Sequence, residues 1–268
     1  MRVLFIGDVV GTPGVEVLCK HLPNLIAAEK IQLTIANAEN ANGGSGMTPR
    51  TYKHLRQAGI DLVTMGDHVY KKLDILEAFK SDDRICRPAN FPEEAPGRQY
   101  VLAPGNGSLV AAFCVLGRTY MRPVDCPFKA ADRVLAQIGE RTRCIFVDIH
   151  AEATADKILM AQHLRGKVTA VLGTHTHVQT ADERILPGGT AFISDVGMTG
   201  PHDSILGRRI DRVLPTTITF VPTAFDVAEG DPRISGAIVD VDDVGRAVAI
   251  RRVHMTEAQL EALAPAKQ

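Results

Sequence analysis

Short apolar runs alternate with longer amphipathic stretches along the first third of the chain. Val3-Leu4-Phe5-Ile6 predicts a buried strand, and a loop rich in Gly and Pro follows from Gly7 to Gly14. A helix is expected from near Pro13, since proline suits a helix's first turn, to about Glu29. Leu33 to Ala36 predicts the next strand, and a glycine-rich loop runs from Glu39 to Gly46. Thr48 then caps a helix opened by Pro49. Leu62 to Met65 and Lys71 to Phe79 predict a third strand and a third helix. Between Asp82 and Pro127 the alternation breaks: Pro88, Pro92, Pro96, Pro104, Pro123 and Pro127 punctuate it, and Leu109 to Leu116 predicts a buried strand. We expect an irregular excursion over about 82–127 within a single domain spanning 1–268.

Alternation resumes with a helix over about Lys129 to Glu140, a strand over Cys144 to Ile149, a helix over about Thr154 to Leu164 and a strand over Val168 to Leu172. After that, Ala191 to Ser194, Thr216 to Val221, Ser235 to Asp242 and Val248 to Val253 predict successive strands, the mark of an antiparallel or mixed second sheet. The Ala-rich tail from Glu257 to Gln268 predicts a short helix. The fold class is therefore α/β (α+β), with two packed sheets and helices outside them.

The chemistry sits where the apolar runs stop. His175-Thr176-His177 follows Ala170-Val171-Leu172-Gly173-Thr174, placing two imidazoles just past a strand's carboxyl end. That is where an α/β sheet exposes its functional groups, and neutral imidazole is the commonest metal ligand. Asp8, Glu39 with Asn40, Asp67 with His68, and His150 end other strands in the same manner. Three carboxylates converging without a partner would be costly through repulsion and desolvation. Two divalent cations would offset that charge, a carboxylate such as Glu39 can bridge two ions, and neutral histidines would complete the shell. Mixed oxygen and nitrogen donors suit manganese, iron or zinc better than calcium.

Composition narrows the class. The chain has 268 residues, of which 45% are hydrophobic and 23% charged, so it can bury a full-sized core. A net charge of -1 gives no general attraction to nucleic acid or to an anionic membrane, and no stretch approaches the roughly 18 apolar residues of a membrane span. The N-terminal apolar run reaches Asp8 too soon for a signal peptide and reads as a strand. Cys19, Cys86, Cys114, Cys126 and Cys144 are odd in number and form no CxxC pair, which points to reduced thiols in a cytoplasmic protein. His21, His54, His163 and His254 are expected to be solvated, whereas His202, beside Gly200-Pro201, is placed near the pocket. Asp182 and Asp195 are read as partners of the ligands or as caps, and Arg118, Arg122 and Arg208 as solvated unless a nucleotide meets them.

Taken in order, Gly7-Asp8, Asn37-Ala38-Glu39-Asn40, Gly66-Asp67-His68, His150 and Gly173-Thr174-His175-Thr176-His177 resemble the calcineurin-type metallophosphoesterases. Asn37-Ala38-Glu39-Asn40-Ala41 followed by Gly43-Gly44-Ser45-Gly46, His150-Ala151-Glu152-Ala153-Thr154 and Ser194-Asp195-Val196-Gly197-Met198-Thr199-Gly200 narrow the resemblance to their YmdB-like branch, over Met1 to about Val253. The resemblance implies a four-layer αββα sandwich. It implies that Asp8, Glu39 and His177 hold one metal and Glu39, Asp67, His150 and His175 the second, with Asn40 on a metal or on phosphate. It also implies that His68 is the general acid of a cyclic-nucleotide phosphodiesterase acting on 2′,3′- or 3′,5′-cyclic substrates through a metal-bound hydroxide. Two departures stand out: Val10 where larger branches carry His, and Asp67 where the family usually carries Asn. The loop at Asn42, Gly43 and Gly44 is a candidate phosphate cradle, joined by His202. A phosphomonoesterase, a nuclease and a non-enzymatic metal-dependent regulator or RNA-binding protein are the rival readings. A metallo-β-lactamase would need Asp where Gln179 stands, and an amidohydrolase barrel would carry its His-x-His early. The implied partner is a small cyclic nucleotide; self-association is left open.

Overall fold

The computed structural model describes residues 1–105 and 107–263. In chain order, β1 (Arg2–Ile6), β2 (Asp8–Val9), α1 (Gly11–Glu29), β3 (Leu33–Asn37), α2 (Pro49–Gln57), β4 (Leu62–Thr64), α3 (Ile75–Ser81) and β5 (Ile85–Cys86) come first. Next are β6 (Val101–Pro104), β7 (Leu109–Leu116), α4 (Pro127–Ile138), β8 (Cys144–His150), α5 (Thr154–Leu164) and β9 (Ala170–Thr174). The chain closes with β10 (Arg184–Leu186), β11 (Thr190–Ile193), β12 (Met198–Pro201), α6 (Ile210–Thr219), β13 (Pro232–Val241), β14 (Ala247–Thr256) and α7 (Glu257–Glu261).

Two sheets result. The first runs β2-β12-β13-β1-β3-β4-β5, with β14 also on β13; the second runs β10-β11-β9-β8-β7-β6. Pairing is parallel from β1 through β3 and β4 to β5, from β7 through β8 and β9 to β11, and between β2 and β12; β13 is antiparallel to β1, β12 and β14, as are β6 to β7 and β10 to β11. Strand alternation sorts the side chains into layers. In β1, Leu4 and Ile6 face α1 and α2, where Leu18, Leu22, Leu25 and Leu55 cover them. Val3 and Phe5 face the other sheet and pack with Val110, Phe146, Leu172 and Ile193. On the far face of the second sheet, Phe113, Val115, Val147 and Ile149 meet Val134, Met160 and Leu164 of α4 and α5. The order is helix, sheet, sheet, helix, the four layers expected. Strands buried on both faces read as continuous apolar runs, which is why they were legible in the sequence.

The C-terminal strands correct one expectation. Ala191 to Ser194 does join the second sheet, as β11, but Ser235 to Asp242 and Val248 to Val253 belong to the first. β13 returns antiparallel to β1, with Arg2 opposite Asp240 and its Nε donating to Asp240 Oδ1 at 2.7 Å. The second sheet comes mainly from the middle of the chain, and the Pro-rich stretch supplies β5 to one sheet and β6 and β7 to the other. Thr216 to Val221 is not a strand either. Its first four residues, Thr216 to Thr219, end α6, a helix with no buried residue, and Phe220 and Val221 follow it. Its β-branched threonines suit a strand, but Thr216, Thr217 and Thr219 donate their hydroxyls to the carbonyls of Arg212, Val213 and Pro215, each four residues back. His21, expected in solvent, is buried with Nε2 3.2 Å from Glu257. Of the tail helix, α7 covers Glu257–Glu261, and residues 264–268 lie outside the described residues. Among the described residues no helix is long and apolar enough to cross a membrane.

Candidate metal centre

The carboxyl edges of the two sheets meet side by side, and the site straddles them. Asp8 opens β2, Glu39 and Asn40 follow β3, and Gly66-Asp67-His68 follows β4, all in the first sheet. His150 ends β8, and His175 and His177 follow β9, in the second. In β8 the period of two that sends Val147 and Ile149 to the helices puts Asp148 and His150 on the inner face.

Asp148 fastens the floor. Its buried carboxylate accepts from Asn37 Nδ2 (2.9 Å), Thr64 Oγ1 (2.6 Å) and Thr174 Oγ1 (2.6 Å), so β3, β4, β8 and β9 are tied beneath the cluster. Thr174 spends its single hydroxyl proton on Asp148. Its oxygen, 2.8 Å from His150 Nδ1, therefore accepts from that ring nitrogen and leaves Nε2 turned into the cluster. The same logic fixes the other two rings. His177 Nδ1 donates to the Leu206 carbonyl at 3.0 Å, leaving Nε2 toward Asn40 and 3.9 Å from Asp8 Oδ1. His175 Nε2 lies 3.3 Å from Glu152 Oε2, leaving Nδ1 inward. Three imidazoles thus each have one nitrogen committed to an outer acceptor and one free to ligate, the arrangement metal-binding histidines show.

The inward atoms crowd together. His150 Nε2 lies 3.0 Å from His175 Nδ1, 3.2 Å from Asp67 Oδ1 and 3.3 Å from Glu39 Oε1. One donor atom each from Glu39, Asp67, His150 and His175 falls within 4.8 Å of all the others. Beside this set, Asp8 accepts the His175 backbone N–H on Oδ2 at 3.0 Å, while its buried Oδ1 has no partner. With both rings neutral, two lone pairs would face each other across 3.0 Å, and the orphaned buried carboxylate oxygen of Asp8 is unfavourable as well, unless a proton or a cation lies among them. The Glu39, Asp67, His150 and His175 donors fit a metal ion, with carboxylate and imidazole donors together.

Electrostatics agree with a cluster built for cations. Burial opposes ionisation of Glu39 and Asp67, but the His150 ring beside them holds both below their ordinary values. Burial likewise disfavours a charged His150, yet Glu39 and Asp67 hold its ring well above its usual value. Burial raises Asp8, and His177 and His150 only partly offset the rise. Burial and the neighbouring His150 lower His175 to about 4.

Two residues of the cluster have a strained backbone. His175 has φ 96° and His177 φ 64°, both in the left-handed region that non-glycine residues avoid, at a cost of order 1–3 kcal/mol each. Gly66 leaves no space for a side chain: a Cβ there would sit 2.3 Å from Glu39 Oε2 and 2.4 Å from His150 Nε2.

A cavity of about 280 Å³ opens over the cluster, its wall including Asn40, Gly44, His68, Glu152, His177 and Arg208. His68 is held by Asn40 Oδ1, 2.7 Å from its Nδ1, and its backbone N–H donates to Glu39 Oε2 at 2.9 Å. Arg208 donates to the Gly43 and Gly44 carbonyls, so the glycine loop is clamped from the site side. Gly43 and Gly44 both have positive φ, which their lack of a side chain permits. Asn42 reaches Thr51 instead, at 3.4 Å, and His202 packs edge-on against His254. Val10, standing where larger branches carry His, contributes apolar wall. Sequence reasoning missed Glu152 as the partner of His175, and missed the floor at Asp148: neither has a spacing that marks it. Asp195 accepts from Thr176 and Lys157, and Asp182 from Ser194 and Thr180.

The YmdB-like protein family model matches residues 4–253. The chain belongs to the YmdB-like family. A Bacillus subtilis (strain 168) relative named 2′,3′-cyclic-nucleotide 2′-phosphodiesterase is 46% identical over 254 residues, 94% of this chain and 96% of its own. The crystal structure of a hypothetical protein from Thermus thermophilus matches with a TM-score of 0.90 at 40% identity, over 96% of this chain and 99% of that one. A Mycoplasma pneumoniae structure described as a novel phosphatase matches with a TM-score of 0.89 at 28% identity, over 96% and 93%. The YmdB-like assignment accords with the four-layer fold and with a candidate metal centre at the paired sheet edges.

Proposed function

We propose that this chain is a metal-dependent phosphodiesterase that opens 2′,3′-cyclic nucleotides at the 2′ bond, releasing the 3′-monophosphate. The observation that carries the reading is the convergence of inward-facing donors from Glu39, Asp67, His150 and His175. The name of the Bacillus subtilis relative supports the substrate class. One metal would be held by Asp8, Glu39 and His177, with Asn40 on that metal or on phosphate, and the other by Glu39, Asp67, His150 and His175. Manganese or iron suits these donors best, with zinc an alternative. When bound, such ions supply Lewis acidity that acidifies water from a pKa of ~15.7 toward ~7 and offsets phosphate charge.

The chain's own groups do the rest. Asn40 Oδ1 holds His68 by Nδ1, so Nε2 is the atom that passes a proton to the departing ribose oxygen. Gly44, on the cavity wall with its carbonyl taken by Arg208, is left with its N–H as the group that meets a phosphate oxygen, and Gly43 stands beside it. Unpaired Cys19, Cys86, Cys114, Cys126 and Cys144 suit a reducing cytoplasm.

The test is hydrolysis of 2′,3′-cyclic AMP by manganese-loaded protein, beside 3′,5′-cyclic AMP, p-nitrophenyl phosphate and a chelated control. Chelator-sensitive release of 3′-AMP in excess over monoester cleavage is expected. Preference for p-nitrophenyl phosphate would make the chain a phosphatase and overturn the reading.

A further inference from the structure

We propose that a buried ion pair outside the cluster, Lys157 with Asp195, acts through Thr176 to set both metal positions at once. The inference rests on the metal reading above and adds positioning residues to it.

Lys157 lies on α5 and Asp195 just beyond β11, and their side chains are 2% and 1% exposed. Lys157 Nζ donates to Asp195 Oδ2 at 2.7 Å. The same oxygen accepts the Thr176 backbone N–H at 3.1 Å and the Thr176 hydroxyl at 2.7 Å. The other oxygen, Oδ1, accepts the Gly197 N–H at 2.8 Å. The Asp195 backbone is pinned as well, its N–H donating to Thr180 Oγ1 at 2.9 Å and its carbonyl accepting from Thr180 N at 3.1 Å. Both carboxylate oxygens and both backbone polar groups of Asp195 are thus hydrogen-bonded.

Thr176 is the residue between the two left-handed histidines, His175 at φ 96° and His177 at φ 64°. Two such closely spaced departures from extended backbone persist only where neighbouring structure over-determines them. Two hydrogen bonds from Thr176 onto this carboxylate supply that constraint. His175 faces the set with Glu39, Asp67 and His150, and His177 faces Asp8 and Asn40, so a shift at Thr176 displaces a ligand of each metal together.

A buried ion pair is weak support for global stability, since apolar replacements of such pairs are often neutral or better. Its local effect here is different. Lys157 neutralises a carboxylate that would otherwise stand uncompensated near Asp8, and fixes which oxygen faces Thr176. The lysine stem also lies against Gly173, where a Cβ would come 2.9 Å from Lys157 Cδ and 1.7 Å from the Ser194 carbonyl. Strand β9 and the Asp195 loop can approach this closely only through that glycine.

The test titrates manganese into the full metal-free chain by calorimetry and follows thermal unfolding in chelator, for wild type, Thr176→Val, Thr176→Ser and Asp195→Asn. We expect Thr176→Val to unfold within a few degrees of wild type in chelator, yet to bind manganese about 10–100-fold more weakly at both sites, the usual effect of losing an outer partner of a ligand. Thr176→Ser, which keeps the hydroxyl, should restore affinity, and Asp195→Asn should lose it. Wild-type affinity in Thr176→Val, or loss at one site alone, overturns the proposal while leaving the metal reading intact. Wild-type protein that takes up no manganese overturns both.

Discussion

Gly66 offers the sharpest test of how tightly the cluster is built. An alanine there would place its Cβ 2.3 Å from Glu39 Oε2, 2.4 Å from His150 Nε2 and 2.6 Å from His150 Cδ2. Ordinary contact needs roughly 3.5 Å, so the two ligands together must yield by about 1 Å. Neither has room. Glu39 is 1% exposed and His150 is fully buried, and each is anchored, His150 by Thr174 and Glu39 by the His68 N–H and Asn40 Nδ2. The Gly66 backbone does not require positive φ, so alanine would be acceptable but for the space. The perturbation is therefore steric and confined to two proposed metal ligands. We expect Gly66→Ala to lose about 1–3 kcal/mol of stability, the range for overpacking a tight interior. Manganese affinity should fall at least ~10-fold, because a displacement of ~1 Å is large beside the roughly ±0.2 Å tolerance of metal–ligand distances. Calorimetric titration and chemical unfolding of the metal-free protein measure the two effects separately. Unaltered manganese affinity in Gly66→Ala would refute the reasoning, since it would mean that Glu39 and His150 need not be where the fold holds them.

Two further outcomes are expected. His68→Ala should keep its metal content but lose about 10²–10⁴-fold in turnover on 2′,3′-cyclic AMP, the usual worth of a general acid; metal analysis beside initial rates decides, and full activity would remove His68 from the proton transfer. Gln179 Nε2 lies 3.1, 3.0 and 2.9 Å from the Val196, Gly236 and Val253 carbonyls, fastening the turn after His177 to β13 and β14, so Gln179→Ala should lose about 1–3 kcal/mol in denaturant unfolding. A loss under about 0.5 kcal/mol would show that water replaces the amide at no cost.

Strand runs, the helix between β1 and β3, the cap at Thr48 and the donors at strand ends were legible in the sequence, and each for a local reason. Strands buried on both faces need unbroken apolar runs, and a parallel sheet places its functional groups at one edge, so Asp8, Glu39, Asp67, His150, His175 and His177 announce themselves by position. Thr216 to Val221 misled because β-branched residues favour strands in general, whereas here threonine hydroxyls back-bond along an exposed helix. Tertiary structure alone decided what local order cannot encode. It set β13 beside β1, assigned the middle of the chain to the second sheet, and tied Asp148 of β8 to β3, β4 and β9. It also gave each histidine an outer partner: Thr174 for His150, Glu152 for His175 and Leu206 for His177. A sequence shows which side chains are able to ligate; which ring nitrogen is left free to do so depends on acceptors that only folding brings within hydrogen-bond reach.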